Sequence, residues 1–422
     1  MQKKWALWLG LFLSMLVPLV AACHAPGSAP AATGPQSPGE RVYVLANRGQ
    51  QIVALAAGGG SSSLVQLPMG LTTLDHQRLF TAVAGSGVTV VTIYQTQDGA
   101  RLQSFAIKGT YSSNGAGYGN AVLSPDGRWM ALRDLAPNVQ QTTIAVVDTQ
   151  TGRVAKLITQ TDDFTLDAIS PDGQTLYLLQ QLNDAEHHYY VRAFDVAANQ
   201  LNPTIIVDKT DLETQMAGQA VMRQMAADGT VAHTLYVNAA ESKAFVHILP
   251  VGGGPNMTPF ARCIDLPGNG TSALLAHYTL SLAPDETFLY AANAVLGAVV
   301  KVSLSGQEVF YDTVALLQKF LPGASIQSPL LYNGSTLSQD GKTLYVVGGD
   351  GVWAFDTTTL LVSKHYLAGE TFNSVALSLD GKSLYLVDQA KGLLALNLAS
   401  GQAQQMAQSG LASPLGIAWV SN

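Results

Sequence analysis

The chain has 422 residues, of which 47% are apolar, only 12% are charged and 40 are glycine. A disordered chain is more charged and less hydrophobic, so this composition excludes disorder and favours an all-β protein with a long core and many turns. The formal net charge of −7 disfavours nucleic acid as a partner, because binding phosphates requires a basic face.

The first residues have the pattern of a bacterial export signal. Lys3 and Lys4 precede an apolar run from Trp5 to Val20, and small residues follow. The sequence Val20-Ala21-Ala22-Cys23 resembles the lipobox of bacterial lipoproteins, in which the cysteine is acylated and the leader is removed just before it. The resemblance implies that residues 1–22 are a signal peptide and that Cys23 carries the lipid.

Lipidation at Cys23 would place the protein on the outer face of the bacterial cell membrane, or on the outer membrane if one is present. Loss of the two leader lysines lowers Lys and Arg from 22 to 20 against 29 Asp and Glu, so the formal charge changes from −7 to −9. An uncleaved anchor helix is the alternative, and Pro18 and the shortness of the apolar run count against it.

A linker follows the cysteine. Residues 24–39 are rich in Pro, Ala, Gly and Ser, a composition that cannot bury enough apolar surface to become ordered. We therefore expect residues 23–39 to be a lipid-anchored flexible linker that reaches on the order of 50 Å. Residues 40–422 remain for one folded domain.

One pattern recurs through that domain: an apolar stretch, a polar turn that usually contains Asp-Gly, and then a strand with Leu-Tyr or its equivalent. The aspartates of these turns are spaced 51, 46, 56, 57, 55 and 40 residues apart, and such a period is typical of propeller blades. They are Asp75, Asp126, Asp172, Asp228, Asp285, Asp340 and Asp380.

The repeated aspartates are expected to form turns and not to bind metal. Aspartate bonds its own downstream backbone, and glycine accepts the positive φ of a tight connection. No Asp-x-Asp-x-Asp calcium loop surrounds them. We expect no metal site and no cofactor in this chain.

The repeat resembles that of YVTN-type β-propellers. Ser170-Pro171-Asp172-Gly173 precedes Leu176-Tyr177, Val147 to Val154 reads Val-Asp-Thr-Gln-Thr-Gly-Arg-Val, and Leu289 to Asn293 is similar to the motif that names the family. The resemblance covers essentially Arg41 to Asn422 and implies a β-propeller. It is weak for function, because that superfamily includes lactonases, amine dehydrogenase heavy chains and many pure binding modules.

The chain ends supply one blade beyond the seven turn motifs. Arg41 to Leu67 has strands of the second, third and fourth type, and Pro414 to Val420 has the pattern of a missing first strand. Pairing of the two ends would remove an open sheet edge. We predict an all-β propeller of about eight four-stranded blades, closed by its N- and C-terminal strands, with seven blades as the alternative.

Cys263 is the other cysteine of the chain, so the folded domain has no internal disulfide. It lies in an apolar stretch, and we expect it to be a small buried hydrophobic residue, with a reactive thiol as the alternative.

Ligands of propellers bind at the mouth of the central channel, on the face formed by the inter-blade connections and by the loops between second and third strands. Polar residues near those strand ends are the candidate binding residues. They are Tyr118, Asn120, Arg133, Asp134, Asp167, Arg223, Asn293, Asn373 and Asp388.

Asp184, Glu186, His187 and His188 form the one compact cluster of side chains able to bind metal. Adjacent residues of an extended segment point to opposite faces, so both histidines cannot easily ligate one ion, and a solvated loop is expected.

Enzyme signatures are missing from the sequence: there is no haem-binding Cys-x-x-Cys-His, no zinc spacing and no nucleophile elbow. The expected function is a binding or scaffold module for a protein, a glycan or a small ligand, with the membrane reached through the lipid. The alternative is a propeller enzyme of lactonase-like or amine-dehydrogenase-like type.

Overall fold

Short antiparallel strands and tight turns make up nearly all of the structure. It is a computed structural model that describes residues 39–57, 65–113, 119–135, 141–184, 187–208, 215–254, 260–268, 270–304, 333–388, 390–406, 411 and 413–422. The predicted signal peptide, the predicted lipidation site Cys23, Tyr118 and Glu186 lie outside the described residues.

The strands belong to eight sheets, which are the blades of a β-propeller. Blades are numbered in chain order, and the last blade also contains the first three strands of the chain. Those strands are β1 (Arg41–Ala46), β2 (Gln51–Ala56) and β3 (Val65–Pro68). Blade 1 contains β4 (Leu71–Thr72), β5 (Arg78–Ala84), β6 (Val88–Gln95) and β7 (Arg101–Lys108). Blade 2 contains β8 (Ala121–Leu123), β9 (Trp129–Arg133), β10 (Gln141–Asp148) and β11 (Arg153–Thr161). Blade 3 contains β12 (Phe164–Ile169), β13 (Thr175–Gln181), β14 (Tyr189–Asp195) and β15 (Gln200–Ile206).

The second half of the ring repeats this order. Blade 4 contains β16 (Gln219–Met225), β17 (Val231–Asn238), β18 (Lys243–Pro250) and β19 (Arg262–Asp265). Blade 5 contains β20 (Thr279–Leu282), β21 (Phe288–Asn293) and β22 (Ala298–Ser303). Blade 6 contains β23 (Ser335–Leu337), β24 (Thr343–Gly348), β25 (Gly351–Asp356) and β26 (Val362–Tyr366). Blade 7 contains β27 (Ser374–Leu377), β28 (Ser383–Asp388), β29 (Gly392–Asn397) and β30 (Ala403–Gln405), and β31 (Gly416–Ser421) completes blade 8.

The prediction of eight antiparallel blades is confirmed, and the alternative of seven is wrong. Seven sheets have four strands, and blade 5 has three within the residues that the structure describes, which omit 305–332. Helix is nearly absent from the same residues: a four-residue α-helix, α1 (Ser272–Leu275), and a short 3-10 turn at Asn47–Gly49 are described. No helix in the described part of the chain is long and apolar enough to cross a bilayer.

The ring closes through its termini, as the sequence predicts. Strand β31 pairs antiparallel with β1, with Arg41 opposite Ser421 and Leu45 opposite Gly416. The indole ring of Trp419 stacks on Tyr43 at 4.5 Å and on the imidazole of His76 in blade 1 at 5.0 Å. The C-terminal strand therefore links β1 to the neighbouring blade as well as completing its own sheet.

Most of the core lies between blades. On one such interface, Phe80 and Ile93 of blade 1 pack against Met130 and Leu132 of blade 2. A sheet that is covered on both faces needs apolar side chains on both faces, so its strands are nearly continuous apolar runs. This explains why the second strand of each repeat is so regular in sequence.

The first strand of each blade lies nearest the axis, and backbone hydrogen bonds run from first strands to residues just before the first strand of a neighbouring blade. Leu166 N–H donates to the Gly119 carbonyl at 2.8 Å, and Val375 N–H donates to the Asn333 carbonyl at 2.8 Å. Side chains make further links, such as Thr279 Oγ1 to Ser335 Oγ at 2.7 Å. The wall of the channel is therefore joined from blade to blade by polar contacts.

All seven predicted aspartates lie in the turn between the first and second strands of a blade. Asp126 Oδ1 accepts the Ser124 hydroxyl at 2.6 Å and the Arg128 N–H at 3.0 Å. Gly127 has a φ of +73°, and a Cβ there would lie 2.6 Å from Thr73 in blade 1. The other blades repeat the aspartate's role at Asp75, Asp172, Asp228, Asp285, Asp340 and Asp380.

Antiparallel connectivity gives the ring two different faces. The edge that carries the Asp-Gly turns and the third-to-fourth strand turns is called the turn face here. The opposite edge carries the second-to-third strand turns and the inter-blade connections, and it is called the loop face. The chain enters blade 8 through β1, on the turn face. There Glu40 Oε1 accepts the N–H of Leu379 at 2.8 Å, and Leu379 belongs to the Asp-Gly turn of blade 7.

Candidate functional site

Two predicted site residues, Asp167 and Arg223, contact each other between blades 3 and 4. Arg223 donates hydrogen bonds to the carboxylate and to the backbone carbonyl of Asp167. Its Nε also donates to Thr234 Oγ1 at 2.8 Å. The side chains of Asp167 and Arg223 are only 3% and 13% exposed. The ion pair thus joins two first strands inside the wall of the ring.

Bulges place these side chains at the blade interface. In blade 3 the register of β12 against β13 shifts between Leu166 and Ala168, so Asp167 is the extra residue. In blade 4 the register of β16 against β17 shifts between Ala220 and Met222, just before Arg223. A bulge turns a side chain away from the regular alternation of a strand, and here it turns a carboxylate toward the next blade.

A buried histidine lies beside the ion pair. His247, on β18, is fully buried, and among the described residues neither of its ring nitrogens has a hydrogen-bond partner. Burial lowers the pKa of His247 to about 4, with Asp167 opposing the shift and Arg223 adding to it. The imidazole is therefore neutral at pH 7. The ring of Tyr236 meets it edge-on at 5.9 Å.

A cleft of about 600 Å³ opens next to this group, between the outer strands of blades 3 and 4. Parts of both blades form its walls, together with the described residues at the two ends of the connection between these blades, which are Val207, Asp208 and Gln215 to Ala217. The lining residues are His188, Ile206, Val207, Asp208, Gln215, Met216, Ala217, Asn238, Glu241, Lys243, Phe245, Ala261, Cys263 and Asp265. Because connections of the loop face contribute Gln215, Met216 and Glu241, the cleft belongs to that face.

The cleft and the buried group share a strand pair. On β18 and β19, His247 lies opposite Cys263 and Phe245 lies opposite Asp265. Phe245 and Cys263 line the cleft, whereas His247, the strand partner of Cys263, is fully buried and does not line it. The backbone N–H of Cys263 donates to Asp208, which fixes the carboxylate of Asp208 against β19. Polar groups therefore continue from the cleft to the first strands.

Cys263 is less buried than the sequence indicates. Its surroundings are apolar, as expected, since it packs against the cluster that contains Tyr189 and Tyr236. Yet it is only partly buried and lines the cleft. The expectation of full burial is therefore wrong, because the outer strand β19 is not covered by blade 3 along its whole length.

The predicted residues of blade 2 form a separate group. Arg133 Nη2 lies 2.5 Å from Asp163 Oδ1, which is the residue just before β12. The Asn120 carbonyl accepts the Arg133 N–H at 2.8 Å. Asp134 makes an isolated bridge with Tyr111, and together with burial it raises the pKa of the Tyr111 hydroxyl. Of these contacts, the Arg133–Asp163 ion pair joins blade 2 to blade 3 on the loop face.

Asn293 and Asp388 have a shared role in second-to-third strand turns. Asn293 Oδ1 accepts the N–H groups of Val295 and Leu296, and Asp388 Oδ1 accepts those of Ala390 and Lys391. Asn238 does the same in blade 4. Side chains that accept backbone N–H groups in this way form Asx turns. Part of the loop face is thus built from one repeated type of turn, which the sequence analysis did not predict.

Asn373 lies just before β27 and is nearly fully buried. Its N–H donates to the Val387 carbonyl at 2.8 Å, whereas no partner for its side-chain Nδ2 occurs in the described part of the chain. The described residues of the predicted site are distributed over several blades, and among them only Asp167 and Arg223 are in direct side-chain contact.

The histidine cluster forms a local loop contact. His188 Nδ1 lies 2.9 Å from Asp184 Oδ2, and the His188 N–H donates to Asp184 Oδ1 at 3.0 Å. His187 is exposed with a φ of +56°. No group of three or more metal-binding side chains with suitable geometry occurs among the described residues.

Little in the sequence indicates His247 or the cleft. His247 stands in an apolar strand, Lys243–Pro250, where a histidine is most simply explained as a core residue. The cleft depends on which outer strands separate, and that is decided by the packing of two blades. A polar residue on the apolar face of a third strand was the one signal that could have drawn attention to this interface.

No protein-family model matches the sequence, and no curated protein is similar to it. Solved structures with a similar fold include a Bacteroides fragilis protein named for a proposed 6-phosphogluconolactonase activity. It is 14% identical to this chain, with a TM-score of 0.41, and the match covers 82% of this chain and 98% of that chain. Hydrazine synthase from Kuenenia stuttgartiensis has 15% identity, a TM-score of 0.36 and coverage of 81% and 94%. These likenesses concern the fold and carry no information on chemistry.

Proposed function

We propose that the protein is an exported, lipid-anchored β-propeller that acts as a binding or scaffold module and presents its loop face to a protein, a glycan or a small ligand. The observation that carries this proposal is the cleft of about 600 Å³ on the loop face between blades 3 and 4. Polar and charged side chains share its lining with apolar ones, and its volume lies in the range of sites that bind small ligands.

The contrast between the two faces supports the proposal. On the turn face, the same aspartate network recurs in seven blades, and its polar groups are used within the turns. Because the feature recurs from blade to blade, it serves a structural requirement common to these blades, namely a tight reversal of the chain. The inter-blade connections of the loop face differ from one another in length and composition, and variable loops on a rigid scaffold are where binding sites concentrate.

The position of Glu40 is consistent with a lipid anchor attached to the turn face, opposite the loop face. Glu40 contacts the blade 7 turn, so the predicted linker joins the propeller on the turn face. A lipid at Cys23 would then tether the propeller through its turn face and leave the loop face accessible.

Anchoring is tested by expressing Cys23→Ala in a bacterial host and separating membranes from soluble protein. We expect the variant to lose lipid-dependent processing and membrane association, and Cys263→Ala to behave as the parent. Unchanged processing and partitioning of Cys23→Ala would contradict the anchor.

Binding is tested by measuring the melting temperature of the full chain against panels of glycans, peptides and small metabolites. A ligand that raises the melting temperature is then measured on Gln215→Ala and Glu241→Ala, which lie on the loop face, and on Gln339→Ala, which lies on the turn face. We expect only the loop-face substitutions to weaken binding. Loss of binding in Gln339→Ala alone would contradict the proposal.

A propeller enzyme of lactonase-like or amine-dehydrogenase-like type is the second candidate. The observation that favours it is the burial of Asp167, Arg223 and His247 together with the lowered pKa of His247, because catalytic groups often combine burial with a shifted pKa. Against it, these side chains are packed inside a blade interface. Hydrolysis of a panel of sugar lactones, or oxidation of amines with an artificial electron acceptor, that is abolished by Asp167→Asn would favour the enzyme.

A further inference from the structure

We infer that the cleft between blades 3 and 4 binds a small organic cation with an apolar body. The inference rests on the proposed binding function and specifies the chemistry of its ligand. It follows from the charges at the rim of the cleft, from the apolar groups at its floor and from the position of the cleft between two rigid sheets.

The charged groups of the cleft are mostly acidic. Among the described residues, three carboxylates line it, those of Asp208, Glu241 and Asp265, together with one ammonium group, that of Lys243. Lys243 Nζ lies 2.8 Å from Glu241 Oε2, so the positive charge is already balanced within the rim. The excess of negative charge in a concave site attracts cations and repels anions.

Two of the carboxylates are placed at different depths. Asp208 is nearly buried and is held by the backbone N–H of Cys263. Asp265 is exposed at the end of β19, and no ion pair involving Asp265 occurs among the described residues. A cation bound between them would have a fixed carboxylate on the inner side and a solvated one on the outer side.

The floor of the cleft is apolar and partly aromatic. Phe245 lies directly opposite Asp265 in the strand register, and Ile206, Met216 and Ala261 complete the surface. The apolar body of a ligand gains from contact with aromatic, aliphatic and thioether groups. An aromatic side chain beside carboxylates suits an organic cation better than a hydrated inorganic one.

A metal ion fits the same residues poorly. No group of three metal-binding side chains was found in the part of the chain that the structure describes. The cleft is also much larger than an ion, whereas about 600 Å³ lies within the roughly 300 to 1,000 Å³ of sites for small organic ligands.

Cys263 provides a direct test, because it lines the cleft. The test uses the Cys23→Ser variant, in which Cys263 is the one remaining cysteine of the full chain. The rate of its reaction with a maleimide is measured with benzyltrimethylammonium as the probe and with 3-phenylpropionate as the anionic counterpart of similar size. We expect the cation to slow labelling in a saturable way and the anion to have no effect.

The carboxylates are then neutralised in the same background. Because each contributes an attraction at the rim, Asp265→Asn combined with Glu241→Gln should weaken the affinity for the cation roughly tenfold. Asp98→Asn, which removes an exposed carboxylate from a turn of blade 1, should leave the affinity unchanged. Calorimetric titration of benzyltrimethylammonium gives the affinity independently of the thiol.

Three results would overturn the inference: equal protection of Cys263 by the anion, an affinity for the cation that the double substitution does not change, or no binding of the cation in either assay. None of these results affects membrane partitioning of Cys23→Ala or the comparison of loop-face and turn-face variants, so failure of the inference is distinct from failure of the proposed function.

Discussion

Arg223 on the first strand of blade 4 donates hydrogen bonds to both the carboxylate and the backbone carbonyl of Asp167 on the first strand of blade 3. The contact joins residues 56 positions apart, one blade repeat. Because both side chains are largely buried, removing one partner leaves a charge that water cannot reach.

Substitution of the ion pair should therefore be strongly non-additive. We expect Arg223→Met alone to lower the free energy of unfolding by about 3 to 5 kcal/mol, because the Asp167 carboxylate would stay buried without its cation. Asp167→Leu combined with Arg223→Met should recover much of that loss. Urea unfolding of the two single variants and the double variant measures the coupling, and additive losses would contradict the buried ion pair.

The repeated turns should matter for stability and not for binding. Asp126→Ala removes the acceptor for the Ser124 hydroxyl and the Arg128 N–H, so it should lower the free energy of unfolding by about 0.5 to 2 kcal/mol. Asp126→Asn keeps one acceptor oxygen and should lose less. An Asp126→Ala variant that melts as the parent but no longer binds a ligand of the parent would contradict this assignment.

Ring closure should depend on the C-terminal strand. Deleting residues 414–422 removes β31, exposes the edge of β1 and leaves Tyr43 and His76 without Trp419. We expect the truncated chain to associate or to fail to fold, because an unpaired strand edge is a template for aggregation. Size-exclusion chromatography and melting temperature measure both effects.

Removal of Asn422 alone is the control for that truncation and should have no effect. The single substitution Trp419→Ala should lower the free energy of unfolding by about 3 to 5 kcal/mol, and Trp419→Phe should lose less. A truncated protein that stays monomeric and melts within a few degrees of the parent would show that the end-to-end pairing is dispensable.

Stability should fall in mild acid because of His247. Burial lowers its pKa from the ordinary value of 6.5 to about 4, so between these values the unfolded chain binds a proton that the folded chain does not. The free energy of unfolding therefore decreases progressively as the pH falls from about 6.5 to about 4, by about 3 kcal/mol in total.

His247→Leu should reduce this pH dependence with little loss of stability at pH 7, since the imidazole gives up no hydrogen bond. His187→Asn is the matched control, because His187 is exposed and Asn tolerates its positive φ. Urea unfolding at several pH values between 4 and 7 measures the difference. Equal pH dependence in His247→Leu and the parent would contradict the burial of a neutral histidine.

The sequence by itself determined the architecture. The Asp-Gly turns, the apolar strands that follow them and the strands without partners at the two ends are local patterns, and each blade repeats them, so the number of blades and the closure through β1 and β31 could be predicted. Turn chemistry depends on a few adjacent residues, which is why Asp126 and Asp172 were assigned correctly as turn formers.

Only the tertiary structure decided which residues lie together in the candidate site. Whether Asp167 faces the channel or the next blade depends on a bulge in β12, and whether Cys263 is covered depends on how far blade 3 extends over β19. His247 carries no local signal, because the same strand pattern would suit a leucine. Contacts between blades join residues about one repeat apart. Neither the periodicity of the sequence nor the chemistry of its turns determines how one sheet packs on another.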